Sequence, residues 1–209
     1  MATDAATARG PYKTGVRRRA QIVEAASALI ARRGYAGASL RLIGDAVGMT
    51  PAGLLRHFDT KQDLLFAVLD DWRVQTSQLP SASSSPGLGH FAEYGDLMRY
   101  HMAHPGLIEL FLTMCTEASD PTHPARGWVA ARYEAIVADG IRHLRYAAEH
   151  GEIPPMSTET MEIEVRGLYA MMDGLELQWI ANPSLDLAQL FESIFAVTLL
   201  RWNTPRSLS

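Results

Sequence analysis

Cysteine is nearly missing from this chain of 209 residues: Cys115 stands alone. One thiol excludes an intramolecular disulfide and cannot by itself build a thiolate zinc site, so it reads as a buried core residue. No apolar run reaches the roughly eighteen residues a membrane-spanning helix needs. Residues 1–14 are small and polar, with no apolar stretch of the kind a secretory signal carries, so a cytoplasmic protein with no membrane partner is expected. Catalytic signatures are missing too. The chain has no glycine-rich phosphate loop, no nucleophile elbow and no His-Glu-x-x-His pair. It also lacks the Glu-x-x-His spacing with which helical bundles build carboxylate-bridged metal sites. His101 and His104, one helical turn apart, are the strongest metal pairing on offer, and a weak one. No enzyme activity, metal or cofactor is expected.

What is present is apolar residue, 47% of the chain, enough for a real core. Charge is unevenly spread beneath a net value of −4. Residues 1–75 carry eleven Lys/Arg against seven Asp/Glu, or +4, and the remainder carries eight against sixteen, or −8. A basic third on an acidic body suits a reader of DNA, because the base attracts phosphate and the body turns it away.

The stretch Leu40–Phe58, LRLIGDAVGMTPAGLLRHF, organises the rest. Leu40, Ile43 and Val47 share one face of a short helix at spacings of three and four. Gly48 stands where that helix must stop, since glycine alone takes the left-handed backbone without steric penalty. Met49 is placed to point back into a small core. Thr50 is a good N-cap, and Pro51 fits the first helical position, where no N–H is needed. A second segment, Pro51–His57, presents Pro51, Ala52, Gly53 and Arg56 outward and hides Leu54, Leu55 or Phe58 behind them. Helix, glycine turn and capped short helix make a helix-turn-helix candidate whose small outer face suits a major groove.

These residues resemble the DNA-binding signature of the TetR (tetracycline repressor) family of bacterial regulators. The likeness runs without a gap from about Arg18 to Val68. It joins Gly34-Tyr35, Ser39, Ile43, Gly48, Thr50, a Leu-x-x-His-Phe run, and Thr60-Lys61 before a long helix. One departure stands out: Leu55 occupies the position where family members usually carry a tyrosine that reaches a DNA phosphate. Arg56 or His57 is left to replace that contact. The resemblance implies an all-α dimer, an N-terminal three-helix DNA-binding head on a larger helical body for ligand binding and dimerisation. It also implies a palindromic double-stranded operator and a small, largely hydrophobic effector. In that scheme Arg41, Thr50 and Lys61, with Arg17 and Arg18, hold the backbone. Pro51, Ala52, Leu54 and Arg56 lie nearest the bases, and Arg56 is the one side chain among them able to grip guanine bidentately. Ligand binding then swings the helix that follows Thr60 and alters the spacing of two heads.

In chain order, residues 1–14 read as a disordered arm with Gly10-Pro11 as breaker, and residues 15–59 as the head. Arg17–Arg33 is helix one, with Ile22, Ala26, Leu29 and Ile30 as its apolar stripe. Gly34 ends it, Tyr35 plugs the corner and Ser39 caps helix two. Residues 60–209 form the body, opened by a connecting helix over 60–78 in which Thr60 and Asp63 imitate a capping box. Leu79–Gly89 (LPSASSSPGLG) is a linker by composition. Helices follow over His90–Ala103, Gly106–Glu117, Arg126–His150, Ser157–Ala181 and Ser184–Trp202, with Ser184 as cap of the last.

The last two helices are too apolar for surface helices. Ser184–Trp202 is apolar around most of its circumference. The helix before it has one stripe of Met161, Val165, Leu168, Met172 and Trp179 and a second, flatter face. Helices apolar on two sides need covering on two sides, so a homodimer built on a four-helix bundle is expected. Its interface is placed at Gly167, Met171, Gly174, Leu175, Gln178, Leu190, Phe191, Ile194, Phe195 and Thr198. The concentration of Met and aromatic residues in the body suits an apolar cavity with few polar anchors. Its expected walls are Met98, His101, Phe111, Met114, Arg132, Tyr133, Tyr169, Met172, Asp173 and Glu176. The rival readings are a helical enzyme or small-molecule carrier without DNA function, and an activator of the same family.

Overall fold

The computed structural model describes residues 10–76 and 85–204, without the side chains of residues 10–14, 35 and 36, so the expectation for Tyr35 lies outside what is described. All regular structure in the described residues is helical. The head comprises α1 (Gly10–Gly37), α2 (Leu40–Val47) and α3 (Pro51–Leu54), and α4 (Lys61–Thr76) leaves it for the body. The body adds α5 (Leu88–Ala92), α6 (Tyr94–Ala103), α7 (Pro105–Glu117), α8 (Ala125–Glu149), α9 (Thr158–Ala181) and α10 (Leu187–Trp202). No helix among the described residues is long and apolar enough to cross a membrane.

Several boundaries differ from the sequence reading. Helix α1 starts at Gly10 rather than Arg17, so residues 10–14 belong to a helix and not to a loose arm. Pro11 is no breaker there, because the first helical positions need no N–H. The helix is interrupted at Gly34, with φ at 72°, and resumes to Gly37. The segment His90–Ala103 is two helices, α5 and α6, meeting at Glu93. Most of the expected linker falls outside the described residues, and its end, Leu88-Gly89, is already helical. Helix α10 is capped by Asp186, which accepts from Gln189 N, rather than by Ser184. Thr60 and Asp63 do form the reciprocal capping box: the Asp63 carboxylate accepts from Thr60 N at 2.9 Å, and Thr60 Oγ1 accepts from Asp63 N at 3.1 Å.

The head has its own apolar centre of Ile22, Ala26, Ile43, Leu54, Phe58, Leu64 and Leu65, all buried. It is joined to the body by two helices rather than one. Helix α4 runs onto α7 and α8, and α1 lies along α7. The α1–α7 crossing is close because Gly106 has no side chain. A Cβ built there would collide with the Ile30 carbonyl oxygen, so α7 could not approach α1 at that point with any other residue. In the body, α8 packs on α9, and α10 packs on both α6 and α9.

The two-sided apolarity of the last helices resolves into an inner and an outer face. Met161, Val165, Leu168, Met172 and Trp179 of α9 are buried as the stripe requires. Four residues placed at the interface from sequence are instead interior to the chain: Leu175, Phe191, Phe195 and Thr198. Phe191 and Phe195 stack on each other at 5.5 Å, and Phe91 and Trp202 pack with Phe195. The outer face carries Ile163 and Leu177 of α9 and Ile194, Val197 and Leu200 of α10, the last 70% exposed. Gly167 and Gln178 are exposed on the same helices, with Met171, Gly174 and Leu190 half-buried. Beneath this face, the buried Glu164 accepts from Arg201 Nη2 at 2.6 Å and from Trp202 Nε1 at 2.8 Å.

Candidate functional site

The helix-turn-helix is built by local rules. Ser39 caps α2 by accepting from Leu42 N. Gly48 ends α2 in the left-handed conformation, at φ 67° and ψ 39°. Met49 N then donates to Gly44 O at 2.8 Å, closing the turn. Thr50 caps α3 by accepting from Gly53 N at 3.1 Å, with Pro51 at the first helical position. The second segment is shorter than expected: α3 ends at Leu54, and the chain continues as turns through His57.

Side-chain exposure separates the residues expected to face DNA. Arg17, Arg41, Thr50, Pro51, Ala52 and Arg56 are exposed, with His57 and Lys61 half-buried. Leu54 is 0% exposed and cannot reach a base; it belongs to the core of the head. Leu55 is the outward leucine, at 41%. Arg18 is also occupied. Its Nη2 donates to the Val47 carbonyl at 2.6 Å and its Nη1 to Gln21, so it satisfies the open C-terminal carbonyl of α2. Arg19 lies over the Phe58 ring at 4.4 Å, where its charge meets the aromatic face.

A second feature is a cavity of about 670 Å³ in the body. Eight of the expected residues line it: His101, Phe111, Arg132, Tyr133, Tyr169, Met172, Asp173 and Glu176. Met98 and Met114 do not; both are fully buried core residues. A methionine at helical spacing carries no mark that separates cavity wall from core. Sequence reasoning missed the contribution of α4, whose Asp70, Trp72, Arg73 and Thr76 form one end of the wall. It also missed His90, Tyr94, Asp139 and Arg142. A tryptophan and an arginine adjoining at the far end of the connecting helix were the available signal.

The polar groups of the wall are mostly paired. His101 Nδ1 and Glu176 Oε1 share a hydrogen bond at 2.6 Å, both side chains buried. Tyr133 donates its hydroxyl to Asp173 at 2.6 Å, and Cys115 Sγ lies 3.8 Å from the same oxygen of Tyr133. Burial pushes the Cys115 thiol up to about 11 and the Asp173 carboxyl up to about 6. Tyr94 and Tyr169 join hydroxyls at 2.7 Å, and Tyr94 also meets His90 Nε2 at 2.8 Å. Burial, then the neighbouring His143, lowers His90 to about 4.

The pair His101 and His104 does not converge on a metal. His101 is taken by Glu176, while His104 bonds Tyr100 O and stacks on the Tyr100 ring. His90, Asp139 and His143 do cluster, with potential ligand atoms within 4.8 Å of one another. Their imidazoles, however, stack at 3.8 Å with planes 3° apart. Ring-nitrogen lone pairs lie in the ring plane, so two parallel rings at that spacing do not aim at one ion at about 2.0–2.1 Å from each.

A capped helix-turn-helix with an exposed second segment, set on a helical body with an internal cavity, defines a DNA-binding transcription regulator. Residues 22–68 match the family described as bacterial regulatory proteins, tetR family. The chain is similar to the HTH-type transcriptional repressor KstR2 of Rhodococcus jostii, 25% identical over 193 residues that span 90% of this chain and 80% of that one. It is similar also to the HTH-type transcriptional repressor Rv1474c of Mycobacterium tuberculosis, 29% identical over 136 residues, 62% of this chain and 67% of the relative. The fold matches that of a TetR transcription regulator from Haloarcula marismortui, with a TM-score of 0.72 at 19% identity, covering 90% of this chain and 100% of the other. The DNA-binding head thus matches the TetR family of bacterial regulators, and the chain as a whole has the fold of a TetR transcription regulator.

Proposed function

We propose that the protein is a dimeric repressor that holds a palindromic operator until a small, largely apolar ligand enters the body cavity. One observation carries the reading: α4 begins beside the DNA-reading segment and ends in the cavity wall with Trp72. Thr50, Pro51, Ala52 and Arg56 supply the outward surface of the motif, with Arg56 as base reader and Arg41, Arg17 and Lys61 toward phosphate. His57 is the remaining candidate for the contact that Leu55 cannot make. The names of KstR2 and Rv1474c support repression rather than activation.

A dimer supplies two heads, and the exposed Ile163, Leu177, Ile194, Val197 and Leu200 supply the apolar face on which two copies meet. Ligand then acts through its differential affinity for two separations of the heads. Selection of bound fragments from genomic DNA tests the proposal. A repressor yields a two-fold symmetric site overlapping a promoter, and transcription from that promoter rises when the protein is removed. Enriched sites with transcription that falls on removal would assign an activator instead.

A further inference from the structure

Two donors in the cavity lack partners. Trp72 is buried, and its Nε1 has no hydrogen-bond acceptor. Arg132, on α8, has an enclosed Nε with no acceptor, and no carboxylate forms an ion pair with it among the described residues. Its guanidinium is held in place by rings instead, 4.9 Å from the centre of Phe111 and 6.0 Å from that of Trp128. Burial works against its charge and lowers its pKa. A buried donor without an acceptor is costly.

Of the wall acids, Asp173 is the one whose charge acts on Arg132, and no direct ion pair joins the two among the described residues. Glu176 is engaged by His101 and Asp173 by Tyr133, each at 2.6 Å. Asp139 lies at the other group, 3.9 Å from His90 and 3.8 Å from His143, and also pairs with Arg142. Among the described residues the wall therefore leaves two donor groups, one of them cationic, without a direct hydrogen-bond acceptor.

We propose that the cavity selects an apolar molecule with one anionic head, a carboxylate, which Arg132 grips while the Trp72 indole N–H donates a further hydrogen bond. The guanidinium fork matches a carboxylate in two parallel hydrogen bonds. Phe111, Trp128, Leu97, Ile136 and Met172 give the molecule's body an apolar bed. A volume of about 670 Å³ accommodates a ligand of drug-like size. This inference rests on the body being a ligand chamber. It adds that the head group of the ligand touches α4 directly, through Trp72.

The test uses matched probes on the full chain at neutral pH: decanoate, decanol and decylamine, and the acid, alcohol and amine of a 2-naphthylalkyl series. Binding is followed by calorimetry and by tryptophan emission, to which Trp72 and Trp128 of the cavity wall contribute. The acid binds about tenfold or more tighter than its alcohol and amine in at least one series. Arg132→Gln lowers acid binding to the level of the alcohol, and Arg132→Lys keeps part of the preference. Equal binding of acid and alcohol, or preference for the amine, overturns the inference while leaving the chamber intact. Binding of none of the six removes the chamber as well. The wild-type comparison decides the matter even if a variant fails to fold.

Discussion

Trp72 of α4 and His101 of α6 face each other across the cavity edge, their ring centres 5.0 Å apart. His101 carries the contact to α9 through its 2.6 Å bond to Glu176. The helix that leaves the DNA head is thus two side chains away from the helix that bears the outer apolar face. Trp72, His101 and Glu176 all line the cavity, so α4, α6 and α9 share its wall.

The His101–Glu176 pair is also a stability element. His101→Ala leaves a buried carboxylate without its partner and is expected to destabilise the protein by about 3 kcal/mol. The double variant His101→Ala/Glu176→Gln should recover part of that loss, since it removes the orphaned charge. Urea unfolding of the wild type and the two variants measures both. A single-variant loss under about 1 kcal/mol contradicts the pairing.

Asp173 gives a pH dependence of known sign. Burial raises its carboxyl from 3.8 to about 6, against the opposing effect of the Tyr133 hydroxyl. A folded state that holds its proton more tightly than the unfolded chain gains stability at low pH. That gain is complete below the unfolded value of 3.8 and is lost as pH rises through about 6. Asp173→Asn has no such group. The stability of the wild type relative to this variant should therefore fall by on the order of 2 kcal/mol between about pH 4 and pH 7. A difference that stays flat across this range would show that Asp173 keeps its ordinary carboxyl behaviour.

On the DNA side, Arg56 and Lys61 are expected to differ in kind. Arg56→Ala relaxes preference at one base pair per half-site, at a cost of about 1–3 kcal/mol. Lys61→Ala weakens all sequences alike and lowers the slope of log affinity against log salt by about one. Site selection reads the first and a salt titration the second. If the two variants change specificity and slope alike, the division of labour is wrong.

Much of the head was legible because its signals are local. Gly48, Thr50 and Pro51 act within a turn of themselves, and α2 spans Leu40–Val47 as its apolar spacing predicts. Leu54 was harder. The small exposed residues around it suggest an outward face, yet its register puts it against Ile43 and Phe58 in the core of the head. The seam between α1 and α7 had no signal at all. It depends on Gly106 meeting Ile30, far away in sequence, and nothing near either residue announces it. The division of α10 was ambiguous for a related reason. A helix apolar on every side does not say which side turns inward, and Phe191 and Phe195 proved to be the inner ones.

The outer face makes its own prediction. Leu200→Glu and Val197→Glu place charge on exposed apolar positions that make no use of the chain's own core. Each variant should keep its helical content and melt near the wild type. Each should sediment as a monomer where the wild type sediments as a dimer, and should lose about a hundredfold or more in operator affinity, because one head binds with half the contacts. A variant that stays dimeric moves the interface elsewhere.

The most direct test of the central claim is a footprint of the wild-type protein on a site selected from genomic DNA. Two heads reading successive major grooves protect a two-fold symmetric site whose half-site centres lie about 34–36 Å apart, and rising salt erases the protection steeply. Protection without symmetry, or enrichment of no site at all, would contradict the assignment of Thr50–His57 as the DNA-reading surface.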